Sequence, residues 1–157
     1  MKKNLIFTFF VVLGFAAISN AQFGASAGLL YGTETELGFT GRVNYDINDK
    51  ISVFAGYSLL DSESESGFSL TLSSLDFDVH YHFSSGSTKP YALAGINITR
   101  ATAKVLGISQ SSSETGFNIG GGVLHGLSDK FSLFGEAKYV ISDADQLVIT
   151  AGVHYAF

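Results

Sequence analysis

Residues 75–83 read Leu-Asp-Phe-Asp-Val-His-Tyr-His-Phe, a strict alternation of apolar and polar side chains. Successive side chains of a β-strand point to opposite faces of its sheet, so this stretch predicts a strand with one apolar face and one face of carboxylates and imidazoles. The same period of two recurs in residues 37–46, 51–60 and 147–157. The alternation therefore predicts an all-β fold.

Eight such segments can be placed along the chain, near residues 23–31, 37–46, 51–60, 70–83, 90–99, 114–125, 131–141 and 147–157. Three connections are tight (46–50, 84–89 and 126–130), whereas 61–69 and 100–113 are long and serine-rich. Short turns at one end and longer polar connections at the other predict an eight-stranded antiparallel up-and-down β-barrel. Residues 69–74 change the phase of the alternation, which predicts either a bulge or a hairpin that extends beyond the barrel.

The N-terminus has the pattern of a secretory signal. Lys2 and Lys3 precede an apolar run over 5–18, and Ser19-Asn20-Ala21 provides the small residues of a cleavage site. At 14 residues the run is shorter than the roughly 20 that a membrane-spanning helix needs. We therefore expect a cleavable signal helix over 1–21 and a mature β-barrel domain over 22–157.

Composition excludes several functional classes. The chain contains no cysteine, which excludes a disulfide scaffold, thiolate zinc sites and a cysteine nucleophile. Its 157 residues include 9 basic and 14 acidic side chains, a net charge of −5, so we expect no nucleic-acid partner. Hydrophobic residues make up 46% and charged residues 15%, which argues against disorder.

The distribution of side chains favours a membrane barrel over a soluble one. Aromatic residues collect near both strand ends, as in interfacial girdles. Those near the short-turn end are Tyr45, Phe83, Tyr91, Phe131 and Phe157, and those near the other end are Tyr31, Tyr57 and Tyr139. The polar face is mostly small residues with few ions, which suits a narrow interior filled by side chains. A soluble periplasmic ligand-binding β-barrel remains the alternative.

The last strand resembles a known assembly signal. Its apolar positions step back by twos from a terminal aromatic residue: Ile149, Ala151, Val153, Tyr155 and Phe157. With the Lys89-Pro90-Tyr91-Ala92-Leu93-Ala94-Gly95 stretch, the mature chain resembles the small OmpA/OmpX-like bacterial outer-membrane β-barrel family. The resemblance implies export to a Gram-negative outer membrane, contact with outer-membrane lipid, recognition of the last strand by the barrel-assembly machinery, a monomer, and a structural or surface-interaction role.

The alternation phase predicts a set of charged and histidine side chains inside the barrel: Arg42, Asp76, Asp78, His80, His82, Glu136, Lys138 and His154. An isolated buried ion is costly, so we expect Arg42 and Lys138 to neutralise the three carboxylates in a salt-bridged lumen. Imidazole and carboxylate can also bind zinc or copper. Alternate residues on one strand lie about 7 Å apart, so only neighbours could share an ion, and we expect no metal or other cofactor.

The chain offers little for catalysis or transport. A lipid-modifying enzyme, the enzymatic alternative, needs a nucleophile beside a base. His82-Phe83-Ser84 and His125 with Ser128 both lie at the short-turn end, which is the wrong depth for outer-leaflet lipid. Eight strands also leave little room for a general porin.

The long connections are the candidate functional surface, because binding residues gather on loops held by a rigid scaffold. Asp61, Glu63 and Glu65 alternate with serines in one, and Lys104 lies beside apolar residues in the other. The sequence names no extracellular partner, and plain solvated loops are the alternative.

Overall fold

A computed structural model describes residues 22–33, 37–65, 68–105, 108–143 and 145–157. Within these ranges, the side chains of 61–65, 68–70, 104–105 and 108–109 are not described. The expected signal segment, 1–21, lies outside the described residues, so its cleavage stays a prediction.

Eight antiparallel strands follow one another around a closed barrel. The strands are β1 (Phe23–Gly32), β2 (Leu37–Asn48), β3 (Ile51–Glu65), β4 (Phe68–His82), β5 (Thr88–Val105), β6 (Ile108–Gly126), β7 (Phe131–Ile141) and β8 (Gln146–Ala156). Each strand pairs with its neighbours in sequence, and β8 closes the barrel against β1. The predicted eight-stranded up-and-down barrel is confirmed.

The two long connections are largely β-structure. Strands β3 and β4 stay paired as far as Glu65 and Phe68, and β5 and β6 as far as Val105 and Ile108. The register of β3 on β4 shifts between Leu60 and Ser62. The extra residue of this bulge is Asp61 in β3, whereas residues 68–82 of β4 pair without a break. The extended hairpin is therefore confirmed, and a bulge within 69–74 is not found.

The two faces of the barrel wall have opposite polarity. Among the described residues, 17 buried side chains are polar or charged and 7 are hydrophobic, whereas 29 large hydrophobic side chains are exposed on the outside. A soluble barrel would bury the apolar face and expose the polar one, because apolar burial stabilises the fold in water. This barrel has the arrangement expected of a wall that faces lipid.

Aromatic rings cluster on the outside at the short-turn end. Phe23 lies 4.9 Å from Tyr45, and Phe131 lies 4.9 Å from Tyr155, between ring centroids. Tyr91, which we predicted in this girdle, is instead 5% exposed and lies inside the barrel. Its strand has apolar residues on both faces, so proximity to a strand end did not identify the direction of its side chain.

Strand β8 displays its in-phase apolar residues outward. Ile149 is 53% exposed and Val153 50% exposed, and Ala151 lies on the same face. Beyond the strand, the Phe157 amide donates to the Phe23 carbonyl at 3.0 Å. No described helix is long and apolar enough to cross a bilayer.

Candidate functional site

All eight predicted interior residues are buried inside the barrel, each at most 8% exposed. Five of them form what we call the ion-pair layer: Arg42, Asp76, Asp78, Glu136 and Lys138. Near the short-turn end lie the other three, His80, His82 and His154. Their burial follows the phase of the alternation, whereas the pairs that form across the lumen depend on the three-dimensional arrangement.

One half of the ion-pair layer is centred on Glu136. Arg42 Nη1 donates to Glu136 Oε1 at 3.0 Å and to Oε2 at 2.9 Å. The Tyr91 hydroxyl donates to Oε2 at 2.8 Å. The Arg42 guanidinium also lies 4.3 Å from the centroid of the Phe134 ring, a cation–π distance. The Glu136 carboxylate therefore accepts hydrogen bonds from a guanidinium group and from a hydroxyl group, and such bonds stabilise a buried carboxylate.

The other half is centred on Asp76. Lys138 Nζ donates to Asp76 Oδ1 at 2.8 Å and lies 3.8 Å from Asp78 Oδ2. Asn118 Nδ2 joins the two carboxylates, at 2.8 Å from Oδ1 of each. Asn97 Nδ2 also donates to Asp76 Oδ1 at 2.9 Å. A single lysine faces two carboxylates, and hydrogen bonds from the two amide groups help to stabilise their negative charge.

Glycines stand directly opposite the long side chains of the lumen. The strand registers pair Arg42 with Gly56, Asp78 with Gly95, Tyr91 with Gly122 and Lys138 with Gly120. A Cβ at Gly122 would lie 2.6 Å from the Tyr91 hydroxyl oxygen. Because glycine has no side chain, these positions leave the space that the long side chains occupy. The sequence alone does not show which glycine faces which long side chain, because that depends on the strand register.

An apolar cluster closes the lumen at the long-hairpin end. This apolar cap comprises Leu30, Leu60, Val140 and Val148, with Leu72 packed against it. Only about 20 Å³ remains in the cavity between the cap and the ion-pair layer. We expected a polar lumen, and this end differs from that expectation because its inward side chains are aliphatic. The sequence does not reveal the cluster, because each cap residue has an outward apolar neighbour, such as Leu29 beside Leu30 and Leu59 beside Leu60.

A larger cavity of about 300 Å³ occupies the short-turn end, and we call it the short-turn cavity. The three histidines line it, together with Asn44, Asp46 and Lys89. His80 is stacked between Phe54 and Tyr91, with ring centroids at 4.0 and 4.6 Å. The walls of the short-turn cavity are therefore partly aromatic and partly polar.

Two serine–histidine pairs lie in this cavity, and sequence spacing did not identify either. Ser26 Oγ and His154 Nδ1 share a hydrogen bond at 3.0 Å, and Ser52 Oγ and His82 Nε2 one at 3.2 Å. In the described residues, His82 Nδ1 has no partner that would orient the ring for base catalysis. Ser84, the neighbour considered from sequence, accepts from the Gly86 amide instead.

His125, the other candidate base, contacts a threonine. Its Nδ1 and Thr88 Oγ1 share a hydrogen bond at 2.8 Å on the exposed surface. Ser128 Oγ accepts from the Phe131 amide at 3.1 Å, as a turn residue does. Within the described residues, no group of three or more His, Asp or Glu side chains is arranged to hold a metal ion.

The four residues predicted as a loop surface fall on the extended hairpins. Asp61, Glu63 and Glu65 belong to β3, and Lys104 to β5. Their side chains lie outside the described part of the structure, so their contacts stay predictions. Their backbone is strand rather than loop, which changes the kind of surface they form.

Comparisons with known proteins agree with this architecture. A family model described as "outer membrane protein beta-barrel domain" matches residues 8–157. No curated protein matches the chain in sequence. Similar solved structures include the N-terminal β-barrel domain of Pseudomonas aeruginosa OprF, with a TM-score of 0.73 and 17% identity over 86% of this chain and 96% of that one. Neisserial surface protein A has a TM-score of 0.67 and 21% identity over the same shares.

A third similar structure was solved with a bound ligand. It is the attachment invasion locus protein Ail of Yersinia pestis in complex with the heparin analogue sucrose octasulfate. Its TM-score is 0.65 and its identity 18%, over 86% of this chain and 96% of that chain. At these identities the likeness concerns the fold alone.

Proposed function

Because this chain belongs to the outer membrane protein β-barrel domain family, we propose that it is a non-enzymatic surface protein that binds a basic extracellular partner. The proposal assigns the short turns to the periplasm and the long hairpins to the cell exterior, as in other barrels of this kind. It also assigns the ion-pair layer a structural role, as a plug that fixes the barrel.

The observation that carries the proposal is a four-stranded sheet projecting beyond the barrel. Pairing of β6 with β7 ends at Phe117 and Ile141, whereas β6 continues beside β5 to Ile108. On its other side, the stretch from Ile108 to Gly116 has no strand partner among the described residues. Such an edge carries free backbone N–H and C=O groups, to which an extended peptide can add as another strand.

Two of the usual protections against pairing, lysine and proline, are missing from this edge. Natural sheets block exposed edges with lysine, proline or bulges. Residues 108–116 read Ile-Ser-Gln-Ser-Ser-Ser-Glu-Thr-Gly and contain neither lysine nor proline. The composition therefore supports an edge that is open to a partner.

Charge indicates the kind of partner. The connections and hairpin ends on this side hold eight acidic residues: Glu34, Glu36, Asp61, Glu63, Glu65, Glu114, Asp143 and Asp145. Arg100 and Lys104 are the two basic ones, so the net charge is −6. Complementary charge favours a cationic partner. A polyanion such as the heparin analogue bound to Ail would be repelled.

Electrophoresis tests the location. The outer-membrane fraction is run unboiled beside a boiled sample, and we expect a compact species that shifts on heating. Recovery in the periplasmic wash without a heat shift would contradict a membrane barrel.

Peptide binding tests the surface. The barrel in lipid nanodiscs is titrated with an alternating Lys-Val peptide and with its Glu-Val counterpart, and only the cationic peptide should bind. Ser111→Pro, on the free edge, should weaken this binding, whereas Ser85→Pro, in a short turn at the other end, should not. Equal binding of both peptides, or no effect of Ser111→Pro, would refute the proposal.

A further inference from the structure

The short-turn cavity is a dead end that opens to one side. Its lining reaches the exposed turn residues Asn48 and Asp49 at the mouth and Arg42 at the floor. Arg42 belongs to the ion-pair layer, and beyond that layer lies the apolar cap, with about 20 Å³ of space between the layer and the cap. A volume of about 300 Å³ is at the lower end of the range for small-molecule sites. A solute could therefore enter from the periplasm and stop there.

Buried polar atoms on this lining lack partners. In the described residues, Arg42 Nε, Asn44 Oδ1 and His82 Nδ1 have no hydrogen-bond partner, although each residue is at most 8% exposed. Arg42 Nε can only donate and Asn44 Oδ1 can only accept. Buried groups of this kind are normally satisfied, so the cavity suits a molecule that carries both an acceptor and a donor.

Charges of both signs line the same space. Asp46 accepts a hydrogen bond from Asn44 Nδ2 at 2.9 Å, which places its carboxylate beside the free Asn44 oxygen. Lys89 lines the cavity from β5, and its ammonium has the opposite sign. Since Glu136 already neutralises Arg42, neither an anion nor a cation alone matches this pattern. On these grounds we propose that the short-turn cavity binds a small zwitterion, an α-amino acid or a molecule like one, from the periplasm.

The spacing of Arg42 and Asn44 along β2 is comparable with the reach of such a molecule. Arg42 and Asn44 project from the same face of β2, about 7 Å apart along the strand. The ammonium and carboxylate of an α-amino acid are about 3 Å apart. With hydrogen bonds of about 2.9 Å at each end, the molecule bridges roughly 9 Å. It can thus reach a donor and an acceptor placed as these two residues are.

The remaining lining favours an apolar side chain on the ligand. Phe54, Tyr91, Leu124 and Phe134 contribute apolar surface to the cavity. A branched aliphatic side chain would bury its surface against them. L-leucine is therefore the probe of choice.

Calorimetric titration of the detergent-solubilised barrel tests the proposal. L-leucine is compared with 4-methylpentanoate, which lacks the ammonium group, and with 3-methylbutylamine, which lacks the carboxylate. We expect L-leucine to bind about tenfold or more tightly than either, since each analogue loses charge-assisted hydrogen bonds. No leucine binding, or equal binding of 4-methylpentanoate, would overturn the proposal.

Two lysine variants supply a matched pair. Lys89 and Lys130 both lie at the short-turn end of the barrel, but Lys130 lies outside, 5.7 Å from the centroid of the Tyr155 ring. Lys89→Met should weaken leucine binding about tenfold, and Lys130→Met should leave it unchanged. Asn44→Leu should abolish binding, and Lys89→Met keeps the test decisive if Asn44→Leu does not fold. Unchanged affinity in Lys89→Met would also overturn the proposal.

Discussion

Gly56 lies directly opposite Arg42 in the β2–β3 pair, and a Cβ at Gly56 would lie 2.9 Å from Cγ of Arg42. The arginine therefore crosses the lumen over a position that only glycine leaves open. Its neighbour Gly41 points outward, where a Cβ would meet nothing within 4 Å. Position 56 therefore requires a glycine, whereas position 41 on the neighbouring strand has room for a side chain.

We predict that Gly56→Ala destabilises the barrel by about 1–3 kcal/mol, the usual cost of overpacking. Gly41→Ala, on the outer face, should change the free energy of unfolding by at most a few tenths of a kcal/mol. Urea unfolding in lipid vesicles measures both. Equal stability of the two variants would show that Arg42 adjusts without cost.

Glu136→Gln leaves the Arg42 guanidinium buried without a counter-ion. We expect a loss of about 3–5 kcal/mol in the free energy of unfolding, the range for breaking a buried ion pair from one side. Asp129→Asn, in an exposed turn, is the control and should have little effect. If the two variants unfold at the same urea concentration, the ion-pair layer does not stabilise the barrel.

The double variant Arg42→Met/Glu136→Leu separates pairing from polarity. Replacing a buried ion pair by apolar residues of similar volume is often neutral or stabilising. The double variant should therefore recover most of the stability that Glu136→Gln loses, in the same unfolding experiment. A double variant less stable than Glu136→Gln would mean that Tyr91, which bonds Glu136, depends on the carboxylate.

Leu60 and Leu59 are neighbours on opposite faces. Leu60 is 5% exposed in the apolar cap, and Leu59 is 49% exposed on the outer face. Leu60→Ala should destabilise the barrel by about 2–5 kcal/mol, because it creates a cavity between packed side chains. Leu59→Ala should cost less, since lipid can fill the space. Thermal unfolding in one detergent compares the two, and the reverse order would place the cap outside the packed interior.

Phe157 tests the assembly signal. Phe157→Ser should lower the amount of barrel inserted in the outer membrane of expressing cells, with Ala156→Ser as the control. Once purified and refolded, the Phe157 variant should unfold at a concentration of urea close to the unsubstituted chain. A parallel loss of stability would indicate a packing role rather than recognition by the assembly machinery.

Cleavage of the expected signal segment after Ala21 would give the mature protein a defined N-terminus. The protein isolated from outer membranes should begin at Gln22, and intact-mass measurement checks this directly. Ala21→Arg should block processing, because the cleavage site requires a small residue there. A mass that includes residues 1–21 would mean a retained anchor.

Strand number, order and facing could be predicted from the sequence wherever one face is polar and the other apolar. Residues 75–83 are the clearest case, with both aspartates and both histidines buried. In β5, the inward residues Tyr91 and Leu93 alternate with the outward residues Ala92 and Ala94. Both faces are largely apolar there, so the sequence pattern does not show which face is inward. That ambiguity produced the wrong prediction for Tyr91.

The contacts inside the lumen depend on register, which no single strand encodes. Ser26 meets His154 because the first and last strands pair, and 128 residues separate them in the chain. The ion pairs likewise join strands that are distant in sequence. Charge balance predicted that Arg42 would face a carboxylate, but only the closed barrel selects Glu136.

The projecting sheet has a consequence for access from outside the cell. Strand β6 continues nine residues beyond its last pair with β7, about 30 Å along the strand and roughly 20 Å in height at the usual tilt. The headgroup layer is only about 6 Å deep on each side of a bilayer. In the proposed orientation, the distal ends of β5 and β6 should therefore stand clear of the lipid, where a protease or an antibody added to intact cells would reach them. They are also the places where an epitope could be inserted for display without entering the barrel wall.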